Sequence, residues 1–223
     1  MNEKKLILVV LGIVSFMSFS ERIGYGQPTT NSEVLNIPVK EVKIQGESLS
    51  SILSDIATKL SVPIGLDSTF AHGSQCNVRG ELRISLRNTN VGKIIDRVFQ
   101  ETSGCQWTIS EGVINFLPSS SVLRLTEIRL ARFEVKRGSR KQDVKLKLTQ
   151  SDEIRKNLEG HDMLLTSLST DVLGDQKTML DFEIEKGDYS LQWILNKMAV
   201  TNKGKFWSLS QWSSESKEIF INF

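Results

Sequence analysis

Residues 91–116 read VGKIIDRVFQETSGCQWTISEGVINF, and residues 191–223 read LQWILNKMAVTNKGKFWSLSQWSSESKEIFINF. The two stretches are versions of one pattern. Val91, Ile94, Ile95 and Val98 recur as Leu191, Ile194, Leu195 and Met198, at the spacing of one apolar helix face. Gly104, Trp107 and Ile109 recur as Gly204, Trp207 and Leu209. Ile114-Asn115-Phe116 returns as Ile221-Asn222-Phe223. Agreement of period, glycine, tryptophan and closing tripeptide reads as an internal duplication. Each copy predicts a helix followed by a hairpin, and Glu111-Gly112 supplies the tight turn of the first.

Upstream, Leu82, Ile84 and Leu86 alternate with polar residues as a strand, and Leu180, Phe182 and Ile184 do the same before the second copy. Before Leu82 lies a further strand–helix–strand. Val42 and Ile44 alternate, and Gly46 ends the strand. Ser48 caps a helix whose apolar stripe is Leu49, Ile52, Leu53, Ile56, Ala57 and Leu60. Pro63 stops that helix, and Ile64-Gly65-Leu66 reads as a short strand. The second copy is completed by analogy. Val144, Leu146 and Leu148 alternate as a strand, Ser151 caps a short helix with Asp152 and Glu153 in its first turn, and Met163 to Leu165 forms the next strand. The expected class is α+β, with two small mixed-sheet units of strand–helix–strand–strand–helix–strand–strand order.

The expected organisation is a signal peptide over 1–26, a linker over 27–38 and a first unit over 39–118. A basic connecting segment follows over 119–141, with a strand or hairpin turning at Arg137-Gly138-Ser139, and then a second unit over 142–223. Lys4 and Lys5 form the positive start of the signal, and Leu6 to Phe19 its apolar core. That core is shorter than the roughly 20 apolar residues of a membrane helix. Gly24 and Gly26 place cleavage before Gln27, with a second option after Ser20; retention of the segment as an anchor is the alternative. The chain is thus expected to be exported, periplasmic or secreted in a bacterium, with no integral membrane span after cleavage.

Of 223 residues, 28 are Lys or Arg and 26 Asp or Glu, for a formal charge of +2. So balanced a chain does not suit a dedicated nucleic-acid binder, and nucleic acid is not an expected partner. Two cysteines, Cys76 and Cys105, in an exported chain predict one disulfide, with two unpaired thiols as the alternative. The disulfide would stabilise by roughly 3 kcal/mol.

The first unit resembles the secretin and TonB short N-terminal (STN) domain. The resemblance rests on Val42 to Glu47, on Ser48-Leu49-Ser50-Ser51-Ile52-Leu53-Ser54-Asp55-Ile56-Ala57, on Ile64-Gly65-Leu66, on Leu82 to Leu86, on Val91 to Gly104 and on Trp107 to Phe116. It covers about residues 39–118, with half a copy at 179–223. STN domains act as docking and signalling modules in front of secretin pores and TonB-dependent receptors. The resemblance implies a periplasmic interaction domain. No barrel or secretin domain accompanies it in this sequence, so a role in pore or receptor does not carry over.

Chemistry-bearing motifs are sparse. His72 and His161 stand in separate predicted loops without metal-ligand spacing, and no nucleophile elbow, phosphate loop or dinucleotide fingerprint occurs. The expectation is a protein that is not an enzyme and carries no catalytic, metal or cofactor site. Arg124 to Lys147 holds nine bases against three acids, among them Arg129, Arg132, Arg137 and Arg140. It reads either as a docking patch for an acidic partner or as a solvated face guarding a strand edge. Trp193, Phe206 and Trp212 fall outside the inward pattern, where the first copy has polar residues such as Lys93 and Gln106. They read as an interaction surface or as aromatics buried against the middle segment or the first unit. The expected function is a non-catalytic interaction or envelope-docking module, with an unidentified cell-envelope protein as partner and self-association as a possibility. The alternatives are a small exported enzyme or thiol protein using Cys76 or Cys105, and a structural carrier of envelope components.

Overall fold

A computed structural model describes residues 33–69, 76–120, 123, 125–167, 179–201, 205–211 and 215–223. The expected signal peptide and the first half of the linker (27–32) lie outside them, as do His72, Arg124 and Trp212. The chain is α+β. The first repeat runs β1 (Pro38–Gly46), α1 (Leu49–Leu60), β2 (Ile64–Ser68), β3 (Asn77–Val78), β4 (Leu82–Asn90), α2 (Val91–Gln100), β5 (Thr102–Ser103), β6 (Cys105–Ser110) and β7 (Val113–Pro118). The second runs β8 (Arg129–Val135), α3 (Lys141–Thr149), α4 (Asp152–Glu159), β9 (Leu164–Ser167), β10 (Ile184–Ser190), α5 (Leu191–Thr201), β11 (Phe206–Gln211) and β12 (Glu218–Asn222).

Local chemistry sets several of these boundaries. The Ser48 hydroxyl accepts from the Ser51 N–H and starts α1; Ser151 does the same for α4 through Ile154. Asn90 caps α2 through the Lys93 N–H. Glu111 and Gly112 both take positive φ, the geometry that closes a two-residue hairpin between β6 and β7.

Several expectations are corrected. Residues 144–148 form helix α3, not a strand. Its buried positions are Lys141, Val144, Lys145 and Leu148, the same spacing as Leu49, Ile52, Leu53 and Ile56 in α1. Lysine at two of the four hides the helical period and leaves a false alternation, in which Leu146 is in fact exposed. The Asp143 carboxylate accepts from the Arg140 N–H and fixes the first turn. The opening strand of the second repeat is therefore β8, taken from the segment read as a connector, and the repeat starts near 129 rather than 142. The turn at Arg137-Gly138-Ser139 exists, with Gly138 at φ +81°, but it leads into α3 rather than closing a hairpin. Leu180 and Phe182 are buried as their alternation suggests, yet they precede β10, which begins at Ile184.

In each repeat the first and third major strands pair antiparallel, β1 with β4 and β8 with β10, as separate two-stranded sheets. The remaining three join those of the other repeat in one six-stranded sheet of order β6-β7-β2-β11-β12-β9. The repeats meet where β2 and β11 run parallel, with Ile64 opposite Phe206 and Gly65 opposite Trp207. Strand directions reverse from one repeat to the other while the order is kept. The second repeat is thus turned over relative to the first, about an axis along the sheet. Ile64, Leu66, Ile114 and Phe116 enter the first core on one face. Trp207, Leu209, Ile219 and Ile221 enter the second core on the other.

Candidate functional site

Turning one repeat over leaves β2 with a different neighbour on each face. Its Ile64 and Leu66 pack beneath α1, whereas Gly65 and Asp67 lie on the side crossed by α5, which packs on β11, β2 and β7. Gly65 is required there. A Cβ at this position would stand 2.2 Å from the Trp207 ring, so only glycine lets the indole lie over β2. Trp207 is fully buried, and its Nε1–H donates to Asn196 Oδ1 of α5 at 2.8 Å.

Asn196 then joins the second repeat to the hairpin of the first. Its Nδ2 lies 2.9 Å from Ser110 Oγ and 2.9 Å from Glu111 Oε2, and Gln192 Nε2 donates to the same Ser110 Oγ. Asn115 of β7 donates to Ser110 Oγ and to the Val113 carbonyl, while its own Oδ1 is buried with no partner. Leu117 from the first repeat packs into the second core, and Phe206 from the second packs into the first. Lys205 closes the seam by donating to the Ser61 carbonyl, and the Lys205 carbonyl accepts from the Ile64 N–H.

Asp96 of α2, the counterpart of Asn196, is exposed. Asn196→Ala is therefore expected to destabilise by about 2 kcal/mol, because it leaves the fully buried Trp207 N–H without an acceptor. Asp96→Ala should stay within about 0.5 kcal/mol. Urea unfolding of the two variants side by side checks the contrast; equal effects would show that the seam does not depend on Asn196.

Asp67 is the buried acid of this region. Its Oδ1 accepts from the Thr69 N–H and hydroxyl. Burial pushes its carboxyl above the usual carboxylate range, and the two Thr69 bonds only partly oppose that. An acid whose pKa rises on folding contributes stability below its unfolded pKa and loses it as pH climbs through the raised folded value. At neutral pH Asp67 is thus a cost, and Asp67→Asn is expected to raise the melting temperature there. The difference should vanish as the pH approaches 4, near the ordinary aspartate value. Thermal melts of both proteins across that range test it, and an unchanged gap at low pH contradicts it.

Of the aromatics and bases singled out in the sequence, those among the described residues do not converge on one patch. Phe206 belongs to the seam. Trp193 is half-buried, packs on the second core and stacks on Tyr189 with centroids 4.3 Å apart. Both placements are intramolecular. Arg129 pairs with Asp188, Arg140 pairs with Asp143, and Lys147 donates to the Glu134 carbonyl. Arg132 is exposed at positive φ, where β8 carries one residue more than β10. Arg137 is exposed beside the Gly138 turn. Lys141 and Lys145 are buried, donating to the Phe223 carbonyl and to Asn222 Oδ1. The basic run thus spreads over a strand, a turn and both sides of a helix.

Cys76 and Cys105 form a disulfide and are both buried. It fastens the short β3–β5 ladder to the start of β6. Among the described residues no group of three or more His, Cys, Asp or Glu side chains is arranged to hold a metal ion. No helix among them is long and apolar enough to cross a membrane. His161 is exposed, and its neighbour Asp162 pairs with Lys217 rather than with the imidazole.

Among the described residues, β6 and β9 are the two ends of the six-stranded sheet. No protein-family model, no curated protein and no solved structure matches this chain.

Proposed function

We propose that this chain is an exported, non-catalytic interaction module of the cell envelope that binds by strand addition at a sheet edge. The observation that carries this reading is the β2–β11 seam, where one repeat already holds another by adding a parallel strand to its sheet. The order strand, helix, strand, strand, helix, hairpin, present in both repeats, supports the reading of each as an STN-like docking unit. Export is supported by the Lys4-Lys5 start, the apolar stretch Leu6 to Phe19 and the disulfide. Burial of both cysteines favours a structural bond over thiol exchange, which needs an accessible sulfur.

The test is site-specific photo-crosslinking in the envelope of cells that make the protein. A crosslinking residue at Leu164 of β9 or Thr108 of β6 is expected to trap a discrete adduct. The same residue at Val200, exposed on α5 away from both edges, should trap none. Adducts that are absent at both edges, or equal at all three positions, overturn the reading.

A further inference from the structure

The duplication provides the seam strands with counterparts. By element order β9 is the second copy of β2, and β6 is the first copy of β11. β2 and β11 pair with each other, whereas β9 and β6 are the two ends of the sheet among the described residues. We infer that a second copy of this chain occupies these ends, β9 of one molecule pairing parallel with β6 of the next, head to tail. This rests on the edge-addition reading above and names the partner.

Strand direction allows it. β6 runs against β7; β7, β2 and β11 run together; β12 and β9 run against them. β6 and β9 therefore point the same way. A copy moved along the sheet, without being turned over, brings its β6 parallel to β9, and the alternation of core faces continues. Such a contact is heterologous and does not close on itself, so it builds an open array. With six strands per copy at roughly 4.8 Å each, the repeat is about 29 Å along the array.

The edges are also suited chemically. The Leu164 N–H donates to the Lys217 carbonyl, so the main-chain groups of Leu164 and Thr166 face β12 and those of Leu165 and Ser167 face outward. On β6 the Ser119 N–H donates to the Gly104 carbonyl; by alternation Trp107 and Ile109 turn theirs outward. Cys105–Ser110 and Leu164–Ser167 contain no charged residue and no proline, the usual means of blunting an edge. Trp207 and Leu209 are fully buried beneath β2 and α5, while their counterparts Trp107 and Ile109 on the open edge are only half-buried. Leu164 on the facing edge is 58% exposed. It lies on the face of β9 opposite Leu165 and the second core, which is the face where Trp107 of the added copy would settle.

The experiment is sedimentation velocity of the purified full chain over about a hundredfold range of concentration, with two blocked variants. Leu164→Lys charges β9, and Ile109→Pro removes an outward donor from β6. The doubly charged Gln106→Lys/Thr108→Lys, at two exposed positions, replaces the proline variant if that one does not fold. The natural chain is expected to form a concentration-dependent ladder. Each blocked variant alone should associate at least tenfold more weakly. An equimolar mixture should give a dimer and nothing larger, because one variant keeps its β6 and the other its β9. A natural chain that stays monomeric throughout, or folded variants that associate as it does, or a mixture that fails to form the dimer, overturns the proposal. Crosslinks from Leu164 to a different envelope protein in a monomeric chain would overturn this inference and leave the edge-binding reading standing.

Discussion

Trp207→Ala is expected to destabilise the protein by about 3–5 kcal/mol, at the high end of what a single core truncation costs. The residue is fully buried, and three losses coincide. The second core loses its largest side chain, β2 loses the ring that covers Gly65, and Asn196 Oδ1 loses its donor. Gly65→Ala is the reciprocal test. The added methyl lies 2.2 to 2.4 Å from three atoms of the Trp207 indole, which is boxed in by β2 and α5 and cannot swing away. The expected cost is about 3 kcal/mol, the upper part of the overpacking range. In the double variant Gly65→Ala/Trp207→Ala the clash has gone, so it should be no less stable than Trp207→Ala alone. That non-additivity, read by urea unfolding of the three proteins, identifies the pair as one contact. Simple additivity would mean that Gly65 and Trp207 act separately.

Loss of the Cys76–Cys105 bond has the next largest expected effect. The bond closes a loop with a sequence separation of 29. Its removal from the unfolded chain's constraints is worth about 3 kcal/mol in the chain-entropy account. Cys76→Ala/Cys105→Ala avoids burying hydroxyls where the sulfurs sit, and should fall by that amount in denaturant unfolding. The same loss is expected when the natural chain is unfolded under reducing conditions. A loss below about 1 kcal/mol in both would contradict a stabilising role.

Much of the fold was legible because two repeats carry one pattern. The stripes of α1, α2 and α5, the Ser48 cap, the Glu111-Gly112 turn and the cysteine pair all follow from local chemistry. Helix α3 did not, because Lys141 and Lys145 take inward positions that reach the main chain of Phe223 and the side chain of Asn222. No local rule distinguishes such lysines from solvated ones. The seam was hidden for a related reason. Asn196, Asn115 and Asp67 look like surface residues until the other repeat covers them: Asp67 pairs with Leu209 of β11, Asn196 meets Ser110 and Glu111, and Asn115 lies on β7, which α5 crosses. One signal was present: Gln192 and Asn196 lie on one helix face four apart, and only the second repeat has amides at these places. Against Gly92 and Asp96 in α2, they mark a face that meets protein instead of water.

The measurement closest to the central claim is amide hydrogen exchange along β2 and β11 in the native protein. The Ile64 N–H donates to the Lys205 carbonyl, and by the parallel alternation the amides of Leu66, Trp207 and Leu209 also bond across the seam. If the two repeats share one sheet, these amides exchange only through global unfolding, as slowly as the most protected amides of α1 and α5. Trp207→Ala should then release them together. Exchange of Leu66 and Trp207 at the rate of an open edge strand, while both helices stay protected, would show that the repeats are not joined through β2 and β11.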